Sequence, residues 1–260
     1  MKSLKHKTVL ITGATGGFGQ EFAKQLYAHG AYLILTGRNT AKLDNIVKQL
    51  SLIPSEGRII GTISSDLSDR KGCEQLYSAC KKLTTDLDVL INNAGIILYG
   101  KFHEVPIERW EKLMELNLLS TMRLTYLFLP DMLKRRQGHI VLMSSVAGFV
   151  GTSYSTAYAV SKFGIRGFGL SLYREVKSNG INVTIIYPFW ADTPLLQSED
   201  FGQKPTKRVI RLVVDKPADV VKESIKGIRK NKLSVYPGST AKALSFINKF
   251  VQLTGGQRKG

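Results

Sequence analysis

The architecture of this chain follows from Thr8-Val9-Leu10-Ile11-Thr12-Gly13-Ala14-Thr15-Gly16-Gly17-Phe18-Gly19. The first four residues form a short apolar run, which is typical of a buried strand. The glycines that follow let the backbone turn sharply and come close to a ligand. A helical pattern begins at the last glycines, and the N-terminus of a helix offers free N–H groups and a positive dipole end to a phosphate. The stretch therefore predicts a strand, a tight turn and a helix that together bind a phosphate group.

The same alternation of strand-like and helix-like segments continues along the chain. Strand-like runs are predicted at residues 32–36, 58–63, 89–92, 139–143, 182–187 and 233–236. Helical patterns separate them, at residues 42–50, 70–83, 107–136, 156–178 and 218–230. Such alternation implies βαβ units and a parallel sheet that is covered on both faces. We see no linker and no internal repeat, so we predict an α/β fold with a single domain over residues 1–260. It would be a Rossmann-like, doubly wound parallel sheet of about seven strands with helices on both faces.

Composition places the chain among globular proteins. It has 260 residues, of which 43% are hydrophobic, enough for a core and too many for a disordered chain. No apolar run approaches the roughly 18 residues that span a bilayer. Residues 1–7 are basic, but the apolar run after them is too short for a secretory leader. We therefore expect a soluble, cytoplasmic protein.

Cysteine and histidine usage predicts neither a disulfide nor a metal site. Cys73 and Cys80 lie on a predicted helix, where about 10 Å of helix rise would separate them, too far for a disulfide. We expect them to share the inner face of that helix. The four histidines are too scattered for metal-ligand spacing: His6, His29, His103 and His139.

Positive charge is concentrated toward the end of the chain. The net charge is +17, and residues 201–260 hold fourteen Lys or Arg against three Asp or Glu. Such a surface favours anionic partners, among them lipid headgroups, an acidic carrier protein, coenzyme A or nucleic acid. A solvated surface explains the charge equally well. We find no motif for nucleic-acid recognition, so no specific nucleic-acid binding is predicted.

The C-terminal segment, about residues 240–260, combines this charge with an amphipathic pattern. On a helical wheel one half is apolar, with Leu244, Phe246, Ile247, Phe250, Val251 and Leu253. The opposite half is polar, with Lys242, Ser245, Asn248, Lys249 and Gln252. Such a helix most often docks on its own domain. Peripheral contact with an anionic membrane is the alternative.

A tyrosine and a lysine lie four residues apart in Tyr158-Ala-Val-Ser-Lys162, one helical turn from each other. There the ammonium can favour the phenolate, so the tyrosine can exchange a proton below its unperturbed pKa of about 10. Ser145 precedes them, after the strand-like run at 140–143. Singly, these residues could be a core aromatic, a surface lysine and a strand-end cap. Together with the glycine-rich turn, they indicate a nicotinamide-dependent oxidoreductase.

Three motifs resemble the short-chain dehydrogenase/reductase family in order and spacing over about residues 7–195. The pattern Thr-Gly-x-x-x-Gly-x-Gly is matched at Thr12, Gly13, Gly17 and Gly19. The family's motif after the fourth strand resembles Asn92-Asn93-Ala94-Gly95. Its catalytic tetrad is matched by Asn117, Ser145, Tyr158 and Lys162.

The resemblance implies a reaction and a role for each residue of this tetrad. The reaction would be reversible hydride transfer between the nicotinamide C4 and a carbonyl carbon. Tyr158 would be the acid/base, and Ser145 would orient the substrate oxygen and stabilise its charge. Lys162 would lower the pKa of Tyr158 and hold the nicotinamide ribose. Asn117 would anchor a water in a proton relay to the lysine. An ordinary polar helix residue is the alternative for Asn117.

The predicted cofactor is NADP(H) rather than NAD(H). The second strand ends in Thr36-Gly37-Arg38-Asn39, where an acidic residue would bind the ribose hydroxyls and repel a 2′-phosphate. This chain has glycine and arginine there, and arginine can hold a phosphate by bidentate bonds. A plain surface charge is the alternative for Arg38. Thr15 and Asn39 could add hydrogen bonds.

The full predicted dinucleotide site draws on the glycine-rich turn, on the ends of several strands and on the resemblance. The family places an aspartate against the adenine, here Asp66 with Leu67, and a threonine near the nicotinamide carboxamide, here Thr193. The predicted site comprises Gly13, Thr15, Gly17, Phe18, Gly19, Arg38, Asn39, Asp66, Leu67, Asn93, Ala94, Gly95, Tyr158, Lys162, Pro188 and Thr193.

One departure from the family lies after the sixth predicted strand. The family usually has Pro-Gly, and this chain has Pro188-Phe189-Trp190. A bulky residue restricts the backbone there. Phe189 and Trp190, with Tyr154, are predicted to wall the substrate pocket, although Trp190 could equally pack in the core.

Apolar loops at 96–102, 146–154 and 195–202 predict a hydrophobic ketone, aldehyde or secondary alcohol as substrate. A 3-oxoacyl thioester on a carrier or coenzyme A, or another lipid ketone, is the second interpretation. A non-catalytic, dinucleotide-binding regulatory protein is the third, although the intact tetrad argues against it. The resemblance also implies a homodimer or homotetramer, formed through the two helices that begin near residues 107 and 156.

Overall fold

The structure is a computed structural model that describes residues 3–202 and 214–254. Its centre is a seven-stranded sheet in which every neighbouring pair is parallel, in the order β3-β2-β1-β4-β5-β6-β7. The strands are β1 (Thr8–Ile11), β2 (Tyr32–Gly37), β3 (Arg58–Ser64), β4 (Val89–Asn92), β5 (Gly138–Met143), β6 (Ile181–Ile186) and β7 (Ser234–Val235). The strand order reverses between β1 and β4, and this point of an open parallel sheet is where a crevice forms. The predicted doubly wound α/β fold is confirmed.

Helices cover both faces of the sheet. They are α1 (Gly17–Ala28), α2 (Thr40–Ser51), α3 (Arg70–Leu83), α4 (Ile107–Met114), α5 (Ser120–Arg135), α6 (Thr156–Val176), α7 (Pro217–Arg229) and α8 (Ser239–Thr254). The predicted helix over 107–136 is two helices, α4 and α5, joined by a π-helical turn at Glu115–Leu119.

The core consists of two apolar layers, one on each face of the sheet. Leu10 of β1 packs into one layer, and its neighbours Val9 and Ile11 pack into the other. This alternation is the two-residue period of a strand. Because both layers are covered by helices, the central strands are apolar at nearly every position. Cys73 and Cys80 lie together in the first layer, buried and unbonded, as predicted.

The start of α8 docks on this core. Ala241 is fully buried, Leu244 packs against the first apolar layer, and Lys242 forms an ion pair with Glu223 of α7 at 2.8 Å. One turn further on, Phe246 and Ile247 are 63% and 57% exposed. The predicted helix is confirmed over Ser239–Thr254, and Leu244 of its apolar half packs on the core.

The rest of the amphipathic prediction concerns the side chains of residues 248–254 and residues 255–260, which lie outside the described residues. Within the two described ranges, no helix is long and apolar enough to cross a membrane.

Candidate active site

The loops that follow the strands enclose a cavity of about 380 Å³ at the point where the strand order reverses. Segments after β1, β2, β3, β4, β5 and β6 all contribute to its walls. The cavity brings together most of the predicted site residues, although they come from distant parts of the chain. Gly19, Asn39, Asn117 and Tyr154 are the predicted residues that do not line it.

The glycine-rich turn forms one wall and fits a diphosphate. Gly13 has a φ of +63°, and a Cβ there would lie 2.9 Å from the Cα of Ala94. A Cβ at Gly19 would overlap the Gly13 carbonyl oxygen, so only glycine allows this packing of helix against strand. Helix α1 begins at Gly17. The residue before it, Gly16, has no side chain that could cap the first N–H groups of the helix. The N–H groups of the first turn of α1 are therefore available to an anion.

Thr12 and Asn93 brace this turn from below. The Thr12 hydroxyl oxygen accepts hydrogen bonds from the N–H groups of Asn93 and Ala94, at 2.9 and 3.0 Å. The Asn93 amide donates to the carbonyls of Thr12 and Gly13, at 2.9 and 3.1 Å. Asn93 reaches the cavity, but its amide hydrogens are used inside the protein. Thr12 is a functional residue that the predicted site omitted, although the sequence motif contains it.

The part of the cavity that adjoins β2 carries a cation, and β2 itself holds no acidic residue. Thr15, Gly37 and Arg38 line it, and the Arg38 side chain is exposed. A Cβ at Gly37 would lie 3.1 Å from the Thr15 hydroxyl oxygen, so a side chain there would crowd Thr15. Asn39 does not reach this wall, because its side chain caps α2 by accepting from the Lys42 N–H at 2.9 Å.

Asp66 stands opposite Arg38 with a carboxylate that stays charged. Burial acts to raise the pKa of Asp66, but the hydrogen bond from the Ser68 N–H and the charges of Arg38 and Lys112 outweigh it. The pKa of Asp66 therefore lies below its ordinary value. Leu67 beside it also lines the cavity.

Tyr158 and Lys162 lie one turn apart on α6, with the lysine nitrogen 5.4 Å from the centre of the tyrosine ring. Burial raises the pKa of Tyr158 to about 12, a shift that a hydrogen bond with Ser145 reduces. Burial also lowers the pKa of Lys162 to about 8. The predicted lowering of the Tyr158 pKa is therefore not what this structure gives. Burial is the dominant influence on the phenol, and the Lys162 ammonium donates to the Met143 carbonyl at 2.8 Å.

Ser145 connects the tyrosine to the end of β5. Its hydroxyl oxygen accepts from the Ala147 N–H at 3.1 Å, and its hydroxyl lies 3.4 Å from the Pro188 carbonyl. The adjacent Ser144 turns inward and donates to the Lys162 carbonyl at 2.9 Å, which ties α6 to the sheet. Sequence reasoning missed Ser144; the serine doublet is a signal, but it does not say which hydroxyl faces the cavity.

Asn117 lies in the π turn, fully buried behind the cavity. Its side-chain oxygen accepts from the Ile96 N–H and its amide donates to the Ile96 carbonyl, both at 2.8 Å. The amide also donates to the Ser161 hydroxyl oxygen at 3.2 Å. A Cβ at Gly95 would lie 3.1 Å from the Asn117 oxygen and 3.8 Å from the Lys162 nitrogen, so these two side chains flank one glycine.

The remaining wall of the cavity is largely apolar. Its large side chains are Val146, Phe189, Trp190, Leu195 and Leu196. Pro188 and Thr193 also line the cavity, and a Cβ at Gly17 would lie 2.6 Å from the Thr193 methyl carbon. Tyr154 stands outside this wall in a left-handed conformation, with its carbonyl accepting from the Gly100 N–H at 2.9 Å.

Known proteins resemble this chain in sequence and in fold. The family model described as short chain dehydrogenase matches residues 7–203. Mouse 3-ketodihydrosphingosine reductase is 33% identical over 243 residues, which cover 92% of this chain and 73% of that protein.

Two solved structures share the fold over almost the whole chain. A short-chain dehydrogenase from Sphingobium yanoikuyae in complex with NADPH superposes with a TM-score of 0.82 at 23% identity, covering 97% of this chain and 96% of that one. One from Burkholderia phymatum in complex with NAD gives 0.84 at 21% identity, covering 98% and 97%. Because the family model covers most of the chain, this protein belongs to the short-chain dehydrogenase family of oxidoreductases.

Proposed function

We propose that this protein is an NADPH-dependent reductase of hydrophobic ketones, with a long-chain lipid ketone as the favoured substrate class. The observation that carries the proposal is the placement of Ser145, Tyr158 and Lys162 in one cavity with the glycine-rich turn and with large apolar side chains. The mouse relative supports the lipid class, because its name denotes a reductase of a long-chain ketone.

The side chains of the cavity account for each proton and charge of such a reduction. When bound, the reduced nicotinamide supplies the hydride that adds to the carbonyl carbon. Tyr158 is protonated at neutral pH, because its pKa lies at about 12, so its phenol donates a proton to the carbonyl oxygen. Ser145 donates a hydrogen bond to the same oxygen as its negative charge develops. Lys162, with a pKa of about 8, can hold or release a proton near neutral pH and so help to reprotonate the phenolate.

The preference for NADP(H) rests on the adenosine end of the crevice. Arg38 is exposed there, β2 ends in glycine instead of an acidic residue, and Thr15 adds a hydroxyl. A 2′-phosphate would meet a cation and a hydroxyl at this point. The Asp66 carboxylate nearby is held in its charged form and is placed against the adenine in this proposal.

The test is oxidation of NADPH and of NADH by the purified enzyme across a panel of ketones. The panel contains straight-chain ketones, aldehydes and 3-oxoacyl thioesters of coenzyme A. We expect turnover of the long straight-chain ketones, with NADPH preferred. Faster turnover of the thioesters would support the second candidate, a 3-oxoacyl-thioester reductase, which the basic surface favours. Tight NADPH binding without turnover of any compound would point to a non-catalytic regulatory protein.

We also propose that the protein is a homodimer or homotetramer. Apolar side chains stand exposed on α5 and α6, where Tyr126 is 78% exposed and Met122, Val160 and Phe163 are exposed as well. Large apolar groups on one surface favour association. Light scattering of the eluting protein checks this, and a monomer at micromolar concentration would contradict it.

Peripheral contact of a cytoplasmic protein with an anionic membrane is a further proposal, supported by the middle of α8. Phe246 and Ile247 are exposed there, and Lys242 near the start of the same helix is exposed as well. Exposed apolar groups beside cations suit an interface of anionic lipid. Flotation with phosphatidylglycerol vesicles is the test, and Phe246→Ser should reduce binding. Equal recovery with neutral vesicles would argue against the electrostatic part.

A further inference from the structure

The residues that follow Pro188 stand beside the candidate catalytic serine. The Ser145 hydroxyl lies 3.4 Å from the Pro188 carbonyl, and Phe189 is the next residue of the chain. Both Phe189 and Trp190 line the same cavity as Ser145. Two aromatic residues that closely follow Pro188 therefore share the cavity with the hydroxyl that would contact a substrate carbonyl.

The backbone of Trp190 is held in place by a distant segment of the chain. The Asp215 N–H donates to the Trp190 carbonyl at 2.8 Å, and Asp215 forms a parallel β-bridge with Ala191. The Asp192 N–H then donates to the Asp215 carbonyl at 3.2 Å. Because hydrogen bonds fix the backbone on both sides of the bridge, the indole has a defined starting direction.

The ring of Trp190 is supported from two further directions. Tyr99 stacks on it with ring centres 6.4 Å apart and an angle of 23° between the planes. Phe189 meets it edge-on at 6.5 Å and 79°. Tyr99 is itself anchored, since its N–H donates to the Glu199 carbonyl at 3.0 Å and its carbonyl accepts from the Phe201 N–H at 2.7 Å. Two loops thus combine to hold one indole against the cavity.

We infer that Trp190 is the specificity-determining residue of this enzyme and that Tyr99 is its positioning residue. An indole with two aromatic neighbours and a hydrogen-bonded backbone is restrained from the movement that would admit a wide group. The site therefore takes a ketone with one slim substituent next to the carbonyl and excludes a ketone that is branched or aromatic on both sides. This inference rests on the proposed ketone reductase activity and adds a rule for the shape of its substrate.

The test compares two ketones with the purified enzyme and NADPH. One is 2-decanone, which is slim on one side, and the other is isobutyrophenone, which is wide on both. We expect the unmodified enzyme to favour 2-decanone. Trp190→Ala should raise the ratio of kcat/KM for isobutyrophenone over 2-decanone by at least ~10-fold, the scale of discrimination that pocket shape provides.

The chain offers a matched control, since it contains two tryptophans. Trp110 on α4 packs against Phe102 at 6.0 Å and does not line the cavity. Trp110→Ala is the same chemical change away from the site, so it should leave the ratio at the unmodified value. The Kd for NADPH, measured by fluorescence, shows whether each variant keeps its cofactor site.

Variants of Tyr99 test whether its ring positions the Trp190 indole or only stabilises the loop. Tyr99→Leu should move the ratio in the same direction as Trp190→Ala, mainly through KM, because the indole becomes mobile. Tyr99→Phe keeps the stacked ring and should restore the unmodified ratio.

The possible failures have different meanings. If Trp190→Ala binds NADPH normally but slows both ketones equally, Trp190 does not set specificity and the inference is wrong. If the unmodified enzyme reduces neither ketone, the proposed function is overturned and this inference with it.

Discussion

At the residue scale, Tyr158 and Lys162 show one environment acting on two groups in opposite directions. Burial disfavours the charged form of each, so the pKa of the phenol rises to about 12 and the pKa of the ammonium falls to about 8. The phenol is left as an acid and the lysine as a group that exchanges protons near neutral pH. A protonated phenol is the form that donates a proton to the oxygen of a ketone during its reduction.

Removing the Tyr158 hydroxyl tests this assignment. We predict that Tyr158→Phe lowers kcat by ~10²-fold or more, since an acid/base group contributes on that scale. The Kd for NADPH should change little, because the ring remains. Steady-state kinetics and a fluorescence titration give the two quantities, and a variant with the unmodified rate would rule the role out.

Arg38 allows a prediction about cofactor choice. A charge-assisted hydrogen bond to a phosphate contributes about 1.5–3 kcal/mol, which corresponds to roughly 10- to 150-fold in affinity. Arg38→Asp should reduce kcat/KM for NADPH by such a factor and leave that for NADH unchanged or higher. Arg174→Asp, an exposed arginine of α6 outside the cavity, is the control for net charge. Parallel losses in both variants would assign the effect to bulk electrostatics.

The sequence predicted some of these residues and missed others for a physical reason. Tyr158 and Lys162 could be found because their relation is local, one turn of one helix. The stack of Tyr99 on Trp190 joins two loops that are remote in sequence, and no spacing rule connects them. Asn39 illustrates the opposite error, since its position after β2 suggested a ligand contact, whereas its side chain caps α2.

At the scale of elements, the backbone geometry of the glycine-rich turn strongly restricts which residues can occupy it. Gly13 has a positive φ and abuts Ala94, and both features exclude a side chain. The sequence could reveal this turn because glycine is the residue that such geometry requires. The sequence pattern does not fix the exact ends of a helix. The prediction placed the start of α2 at residue 42, and the helix begins at Thr40.

Two glycine-to-alanine variants test two different effects of glycine on stability, namely its tolerance of a positive φ at Gly13 and its loss of backbone entropy in a helix at Gly167. Gly13→Ala should destabilise the protein by ~1–3 kcal/mol through backbone strain and weaken NADPH binding. Gly167 of α6 has open space around the position of a Cβ, so Gly167→Ala should stabilise by ~0.5–1 kcal/mol. Denaturant unfolding measures both changes. A neutral Gly13→Ala variant would mean that the turn relaxes at no cost.

At the scale of the whole molecule, one buried histidine links stability to pH. His139 of β5 is fully buried; its Nε2 lies 2.8 Å from the Thr184 hydroxyl oxygen, and its Nδ1 has no hydrogen-bond partner in the described part of the chain. Burial lowers the pKa of His139 from 6.5 to about 3. The folded protein therefore keeps this ring neutral under conditions in which the unfolded chain protonates it.

The free energy of unfolding should consequently fall as the pH drops from 6.5 toward 3. Between these values the unfolded state binds one more proton, so His139 contributes a slope of up to ~1.4 kcal/mol per pH unit. His139→Leu should reduce the slope, whatever its effect at pH 7. His29→Leu, which removes an exposed histidine, is the matched control. Urea unfolding at several pH values provides the comparison, and identical slopes in all three proteins would contradict the prediction.

The π turn between α4 and α5 makes the site sensitive to the length of the chain as well as to its side chains. Such a turn amounts to one surplus residue within a helix that is otherwise regular. Here the surplus residue belongs to the segment that aims Asn117 at the backbone of Ile96. Deleting one residue from the turn would leave a regular helix with the same apolar face and an asparagine rotated away from its partners. Single-residue deletions in this helix would thus abolish the site while sparing the fold, an outcome that no catalogue of point substitutions would reveal.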